Sequence, residues 1–85
     1  MRVFVTGGAG FIGSNFARML IEGRLPGLED AAITVFDFLT YSGTLSNLES
    51  IAGSDRFTFI EGDIRDSAAV SAALPGHDAV VHFAA

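Results

Sequence analysis

The sequence predicts an α/β fold, a parallel sheet with helices on both faces. Three observations carry that expectation. Four short apolar runs, around Val3-Phe4-Val5, Ile33-Thr34-Val35-Phe36, Phe57-Thr58-Phe59-Ile60 and Ala79-Val80-Val81, are close to continuous, the pattern of strands covered on both faces. Between them lie segments with apolar residues at helical spacing, so strand and helix alternate along the chain. The first run also enters the glycine-rich turn Gly7-Gly8-Ala9-Gly10 and leaves it as a helix, which is how an open parallel sheet begins.

The first strand, β1, is expected over about Arg2–Thr6, and the first helix, α1, over about Phe11–Glu22. Ile12, Phe16, Met19 and Leu20 fall at i, i+4, i+7 and i+8, one face of a helix. Gly23, with Pro26 shortly beyond, ends that helix. The second strand, β2, is Ala32–Asp37, and a short helix over Leu45–Ile51 presents Leu45, Leu48 and Ile51. Gly53-Ser54-Asp55 is turn chemistry, followed by β3 over Arg56–Glu61 and a turn at Gly62-Asp63-Ile64. Asp66 or Ser67 can cap a further helix, α2, that carries Val70, Ala73 and Leu74 and is stopped by Pro75-Gly76. The last strand, β4, is Asp78–Ala85. Right-handed crossovers then give the strand order 3-2-1-4 of a Rossmann-type sheet, one mononucleotide-binding half plus the first strand of the second. The helix and strands that should follow β4 are not in the chain, so it reads as the N-terminal part of a larger domain.

The glycine turn has the chemistry of a dinucleotide site. Gly7 lets the chain turn sharply off β1, Gly10 permits close backbone approach to a pyrophosphate, and Gly13 allows the helix to pack tightly on the sheet, with Ala17 keeping the same face small. The start of α1 offers N–H groups and a positive dipole end to the phosphates. Asp37 ends β2 at the carboxyl edge, where its carboxylate can accept from both adenosine ribose hydroxyls. A 2′-phosphate about 4 Å away would be repelled by about 4 kcal/mol at an effective dielectric of ~20. Phe38, not a basic residue, follows it, so NAD is favoured over NADP. Asp37 could instead merely cap a turn.

Asp63 and Ile64 lie beyond β3, where a carboxylate could meet the adenine amine and Ile64 one ring face; Gly62-Asp63 is equally good turn chemistry. Phe83, Ala84 and Ala85 would run beneath the pyrophosphate and the nicotinamide-side ribose. His82 reads as a hydrogen-bonded core histidine rather than a catalytic group, and His77 as part of a surface turn. Arg18, Glu22, Glu29 and Asp30 read as solvated surface.

Composition limits the alternatives. The 85 residues are 49% apolar, enough for a core, and a net charge of −5 without basic runs makes nucleic acid and anionic membrane poor partners. With no cysteine there are no disulfides and no cysteine-ligated metal centre, and no metal site is expected. No apolar run approaches the ~18 residues of a transmembrane helix, and a cytoplasmic location is the expectation.

Thr6-Gly7-Gly8-Ala9-Gly10-Phe11-Ile12-Gly13-Ser14 resembles the cofactor motif of the extended short-chain dehydrogenase/reductase family. Asp37-Phe38-Leu39-Thr40-Tyr41-Ser42-Gly43-Thr44-Leu45 is more discriminating, being similar to the Asp-Lys-Leu-Thr-Tyr-Ala-Gly-Asn-Leu segment of the dTDP-glucose 4,6-dehydratases. Gly62-Asp63-Ile64-Arg65-Asp66 and Val81-His82-Phe83-Ala84-Ala85 resemble that family's third and fourth strand ends. The resemblance implies backbone contacts to the pyrophosphate from Phe11 and Ile12 and a ribose contact from Asp37. It also implies an adenosine end lined by Leu39, Thr40, Ser42 and Gly43, adenine bracketed by Asp63 and Ile64, and passage of the cofactor beside Phe83, Ala84 and Ala85. Phe38, counted with the cofactor-binding residues, stands where the family has lysine, and Thr44 where it has asparagine.

In the family, NAD stores a hydride while the sugar is oxidised at C4 and loses water across C5–C6, and the hydride returns to C6. The implied substrate is a nucleotide sugar such as dTDP-glucose, and the implied assembly a homodimer. The family's Tyr-x-x-x-Lys and Asp-Glu acid/base pairs would lie beyond Ala85, so no catalytic residue is expected here. A sugar-nucleotide epimerase would share the glycine motif, the aspartate and the opening oxidation. A non-catalytic dinucleotide sensor would share the binding residues alone.

Overall fold

A computed structural model of the chain describes residues 1–7, 11–38 and 45–83, with Phe11 and residues 45–47 described by their backbone only. The elements run β1 (Arg2–Thr6), α1 (Phe11–Ile21), β2 (Ala32–Asp37), a 3-10 helix (Leu45–Ile51), β3 (Phe57–Glu61), α2 (Ser67–Ala73) and β4 (Ala79–His82). All four strands are parallel in the order β3-β2-β1-β4, as the crossover rule predicts. Val3 pairs with Ile33 and Ala79, and Ile33 with Phe57, so one row of side chains crosses the whole sheet.

That row lies on the drier face. Val3, Val5, Ile33 and Val35 are buried there with Ala17 and Leu20 of α1 and Leu48 and Ile51 of the 3-10 helix. Leu48 and Ile51 are three residues apart, which puts both on one side of a helix with three residues per turn. The buried stripe of α1 differs from the one its periodicity suggests. Ile12 is 68% exposed, whereas Gly13, Ala17 and Leu20 are buried, with Phe16 and Ile21 at their margins. The small residues decide the rotation of the helix, because only the glycine and alanine side lets its backbone come close to the sheet.

The helix closes with a Schellman motif. Gly23, at φ 74°, donates to the Leu20 carbonyl at 3.2 Å, and Arg24 donates to that of Met19 at 2.9 Å. The loop that follows is held by Leu25 and Leu28, which pack against the core, and by Arg56. The Arg56 guanidinium donates to the carbonyls of Ile21 (2.7 Å), Glu29 (2.7 Å) and Ala31 (3.0 Å), while its own carbonyl accepts from Ile33 at 2.8 Å. A single side chain thus ties the end of α1, the loop and the starts of two strands.

The strand order reverses between β3 and β4, which lie on opposite sides of β1, so a right-handed crossover carries α2 to the opposite face. Asp66 caps α2 by accepting from Ala68 and Ala69, but the helix has no buried residue. The second face is instead covered in part by His77, in the turn after α2. Its Nδ1–H donates to the Leu74 carbonyl at 2.9 Å, so in the neutral ring Nε2 accepts from the Thr34 hydroxyl at 2.8 Å. The ring stands edge-on to Phe4 at 5.2 Å. His77 is therefore half-buried, not the surface-turn residue that its sequence context suggests.

The Arg56 tie gives a test. A charge-assisted hydrogen bond contributes about 1.5–3 kcal/mol, and the three here share one side chain, so Arg56→Met should lower stability by about 2–4 kcal/mol in urea denaturation. Arg56→Lys, with a single point donor, should recover less than half of that loss.

Candidate dinucleotide site

The carboxyl edge of the sheet is where the candidate residues gather. β1 ends at Thr6 and passes into Gly7, which sits at φ 73°, a left-handed conformation that a side chain would oppose. The Gly7 amide donates to the Phe36 carbonyl at 3.0 Å, fastening the start of the turn to β2. α1 opens at Phe11, and the first turn of a helix carries N–H groups without intrahelical partners. A positive-φ glycine pinned to the sheet, with a helix N-terminus four residues further on, is an arrangement suited to phosphate.

Asp37 is the last residue of β2 and 6% exposed, a carboxylate at the rim rather than on the open surface. Its carbonyl accepts from Gly62 at 3.0 Å, which brings the turn after β3 against the end of β2. Gly62 also lies over the buried Phe36 ring. A Cβ on Gly62 would fall 2.5 Å from Phe36 Cζ and 2.8 Å from Cε2. Phe36 in turn packs on Phe4 with centroids 5.7 Å apart.

Beyond Gly62, Asp63 performs the turn chemistry that its sequence allows. Its Oδ1 accepts from the Arg65 amide at 2.9 Å and its carbonyl from the Asp66 amide at 2.8 Å. The Arg65 guanidinium then grips the carboxylate, with Nε 3.1 Å from each oxygen and Nη2 2.7 Å from Oδ2. These bonds hold the Asp63 carboxyl below the usual carboxylate range and raise the Arg65 guanidinium above its own ordinary value. Three apolar side chains stand open at the same edge: Ile12, Phe38 at 48% exposure and Ile64 at 37%. A buried carboxylate, a clamped one and exposed apolar groups are what a ribose and a planar base require.

β4 joins this edge through β1. The Phe83 amide donates to the Thr6 carbonyl at 2.8 Å, and the Phe83 ring packs on Phe16 of α1 at 5.7 Å. The side chain of Phe83 thus serves packing, and its amide continues the ladder to β1. His82 Nδ1 pairs with the buried Thr6 hydroxyl, so His82 is hydrogen-bonded as expected, but it is exposed rather than part of the core. Gly10, Leu39, Thr40, Ser42, Gly43, Ala84 and Ala85, and the side chain of Phe11, lie outside the described residues. The sequence reading missed Arg65; its place two residues after Asp63, in a turn, was the available signal. Among the described residues no group of three potential metal ligands comes together, and no helix is long and apolar enough to cross a membrane.

The fold and this edge define a Rossmann-type dinucleotide-binding segment. A family model described as GDP-mannose 4,6 dehydratase matches residues 4–85, and the chain belongs to that family. Along its full length the chain is 53% identical to a dTDP-glucose 4,6-dehydratase of Streptomyces niveus, covering 25% of that protein. It is 44% identical to the low-salt glycan biosynthesis protein Agl12 of Haloferax volcanii, covering 26% of it. Among solved structures, DesIV of Streptomyces venezuelae, a dTDP-glucose 4,6-dehydratase with NAD and TYD bound, superposes with a TM-score of 0.93 at 48% identity. The Bacillus anthracis dTDP-glucose 4,6-dehydratase in complex with NAD gives 0.87 at 39%. This chain is covered completely in both, and they are covered to 26% and 27%. It therefore spans about a quarter of the length of the relatives it matches.

The contact of Gly62 with Phe36 can be tested. The ring is buried and has little room to give, so Gly62→Ala should cost about 1–3 kcal/mol in thermal or urea unfolding, as overpacked cores do. Phe36→Leu placed in the same variant should relieve most of the added loss, and the double-mutant cycle reads that coupling directly.

Proposed function

We propose that this chain is the cofactor-binding segment of an NAD-dependent sugar-nucleotide 4,6-dehydratase, a lyase, with dTDP-glucose as the substrate of the intact protein. The observation that carries the proposal is Asp37. It is a rim carboxylate at the end of β2, one strand away from a positive-φ glycine turn and followed by Phe38. The resemblance to dehydratases over the whole chain supports the reaction class and the substrate. The resemblance points to a homodimer acting on a nucleotide sugar, and the acidic composition, with no basic run and no long apolar segment, is the ground for a cytoplasmic protein that partners neither nucleic acid nor membrane.

The residues present fit NAD. Gly7 at φ 73° and the start of α1 suit a pyrophosphate, with Gly10, Phe11, Ile12 and Gly13 completing that contact. Asp37 would accept from the two hydroxyls of the adenosine ribose. Phe38, Leu39, Thr40, Ser42 and Gly43 would border the adenosine, Asp63 and Ile64 the adenine, and Phe83, Ala84 and Ala85 the nicotinamide half. NAD supplies a reversible hydride acceptor. The chain's own contribution is to bind and orient it; no acid or base for the sugar is assigned to these residues.

Two measurements test this reading. The intact protein should bind NAD at least about tenfold more tightly than NADP by calorimetry, a smaller gap than the full charge repulsion because solvent screens part of it. Asp37→Ala should narrow that gap, and equal affinities in the unmutated protein would remove the ribose role.

Given dTDP-glucose and no added reductant, the intact protein should also form a 4-keto-6-deoxy sugar nucleotide, lighter than the substrate by one water, with no net consumption of NAD. A product of unchanged mass inverted at C4 would make the protein an epimerase. Tight NAD binding with no product from any common sugar nucleotide would make it a sensor.

A further inference from the structure

Arg65 is a poor device for stability. Its side chain is 81% exposed, and an exposed ion pair contributes little because water screens it and two side chains must be ordered. Yet its geometry is well formed, a guanidinium fork on both oxygens of Asp63, added to a carboxylate that the turn already fixes through the Arg65 amide. What such a fork supplies is orientation.

Counting acceptors shows what is left over. A carboxylate has about four lone-pair positions, two on each oxygen. The Arg65 amide donates to Oδ1 and Nη2 to Oδ2, while Nε lies 3.1 Å from each oxygen and shares its one hydrogen between them, so three donor hydrogens meet four positions and the carboxylate keeps capacity for one further donor. The pair lies one turn beyond β3, whose last residue Glu61 pairs with Asp37, and beside the open Ile64.

We propose that Arg65 is a positioning residue for base recognition, holding the Asp63 carboxylate so that its remaining acceptor position accepts from the exocyclic amine of adenine. The proposal rests on the NAD-binding reading above and adds to it a residue and a specificity. The amine is a donor; a purine bearing a carbonyl at that carbon would set an acceptor against the carboxylate. The carboxyl is held below its usual range by the same guanidinium, so it is ionised and purely an acceptor at neutral pH.

The experiment compares NAD with nicotinamide hypoxanthine dinucleotide, which differs only in that amine, by calorimetry on the intact protein. A single hydrogen bond to a charged group corresponds to a preference of about tenfold or more for NAD. Arg65→Ala should reduce the preference to about threefold or less, mainly through weaker NAD binding, while the discrimination against NADP set by Asp37 and the melting temperature stay unchanged. Arg65→Lys, which keeps the charge but lacks the fork, should not restore it. A variant Arg65→Ala that keeps the full preference overturns the role of Arg65 while leaving the NAD reading intact. Equal binding of the two dinucleotides by the unmutated protein removes Asp63 from the base as well. Failure of the unmutated protein to bind NAD at all overturns both this inference and the reading beneath it.

Discussion

Everything at the binding edge hangs from a continuation of the parallel ladder past the ends of the strands. Gly7 donates to Phe36, Gly62 to Asp37 and Phe83 to Thr6, at 3.0, 3.0 and 2.8 Å. Each of these bonds fastens the first residue after a strand to the neighbouring strand, so three loops leave the sheet from fixed points. The register that produces them is itself set by burial. A slip of one residue would move Val35 from the face covered by α1 and turn Asp37 over with it, since side chains alternate between faces. The apolar core thus determines where the rim carboxylate stands, and the ladder determines how the turns meet it.

The two faces of the sheet are finished by different chemistry. Against α1 the surface is dry, and close approach through Gly13 and Ala17 does the work. On the opposite face two threonines are buried, Thr6 and Thr34, and each hydroxyl is paired with a histidine. A buried hydroxyl without a partner costs about 1–3 kcal/mol, so these pairs remove a penalty that the second face would otherwise carry. His77 also brings the turn after α2 onto the sheet, a docking that the helix, with no buried residue of its own, does not achieve.

That difference explains what could be read from residues alone. Strand positions, the order 3-2-1-4 and the places of Gly7 and Asp37 follow from apolar runs, turn chemistry and crossover handedness, all of which are local or generic. The glycine and alanine side of α1 is legible from Gly13 and Ala17, whereas Ile12 satisfies the apolar period as well as its neighbours do and yet stands exposed. His82 and His77 exchanged their expected environments because an apolar neighbourhood in sequence says nothing of what lies across the sheet. His82 pairs outward along the rim, while His77 reaches Thr34, 43 residues away in sequence. Arg56 and Arg65 were equally silent, since a guanidinium that serves backbone carbonyls or one turn aspartate leaves no periodic trace.

An acidic segment that binds an anionic cofactor presents an electrostatic difficulty, and the arrangement of this edge shows how it is met. The chain carries a net charge of −5 and places two carboxylates, Asp37 and Asp63, on the side where a pyrophosphate must come. Separation resolves part of the conflict: the N-terminus of α1, whose free amides and dipole suit an anion, follows β1, while the carboxylates stand at the ends of β2 and β3. Neutralisation resolves the rest, because the guanidinium of Arg65 lies against Asp63 and leaves the local pair with no net charge. A carboxylate treated in this way repels phosphate little yet still accepts a hydrogen bond. Asp37 follows a different course: it is nearly buried at the end of β2, and under the proposed function a second phosphate on the adenosine ribose would meet its charge at short range. Under that proposal two aspartates of the same formal charge take different tasks from their surroundings, one excluding an anion and the other reading a donor.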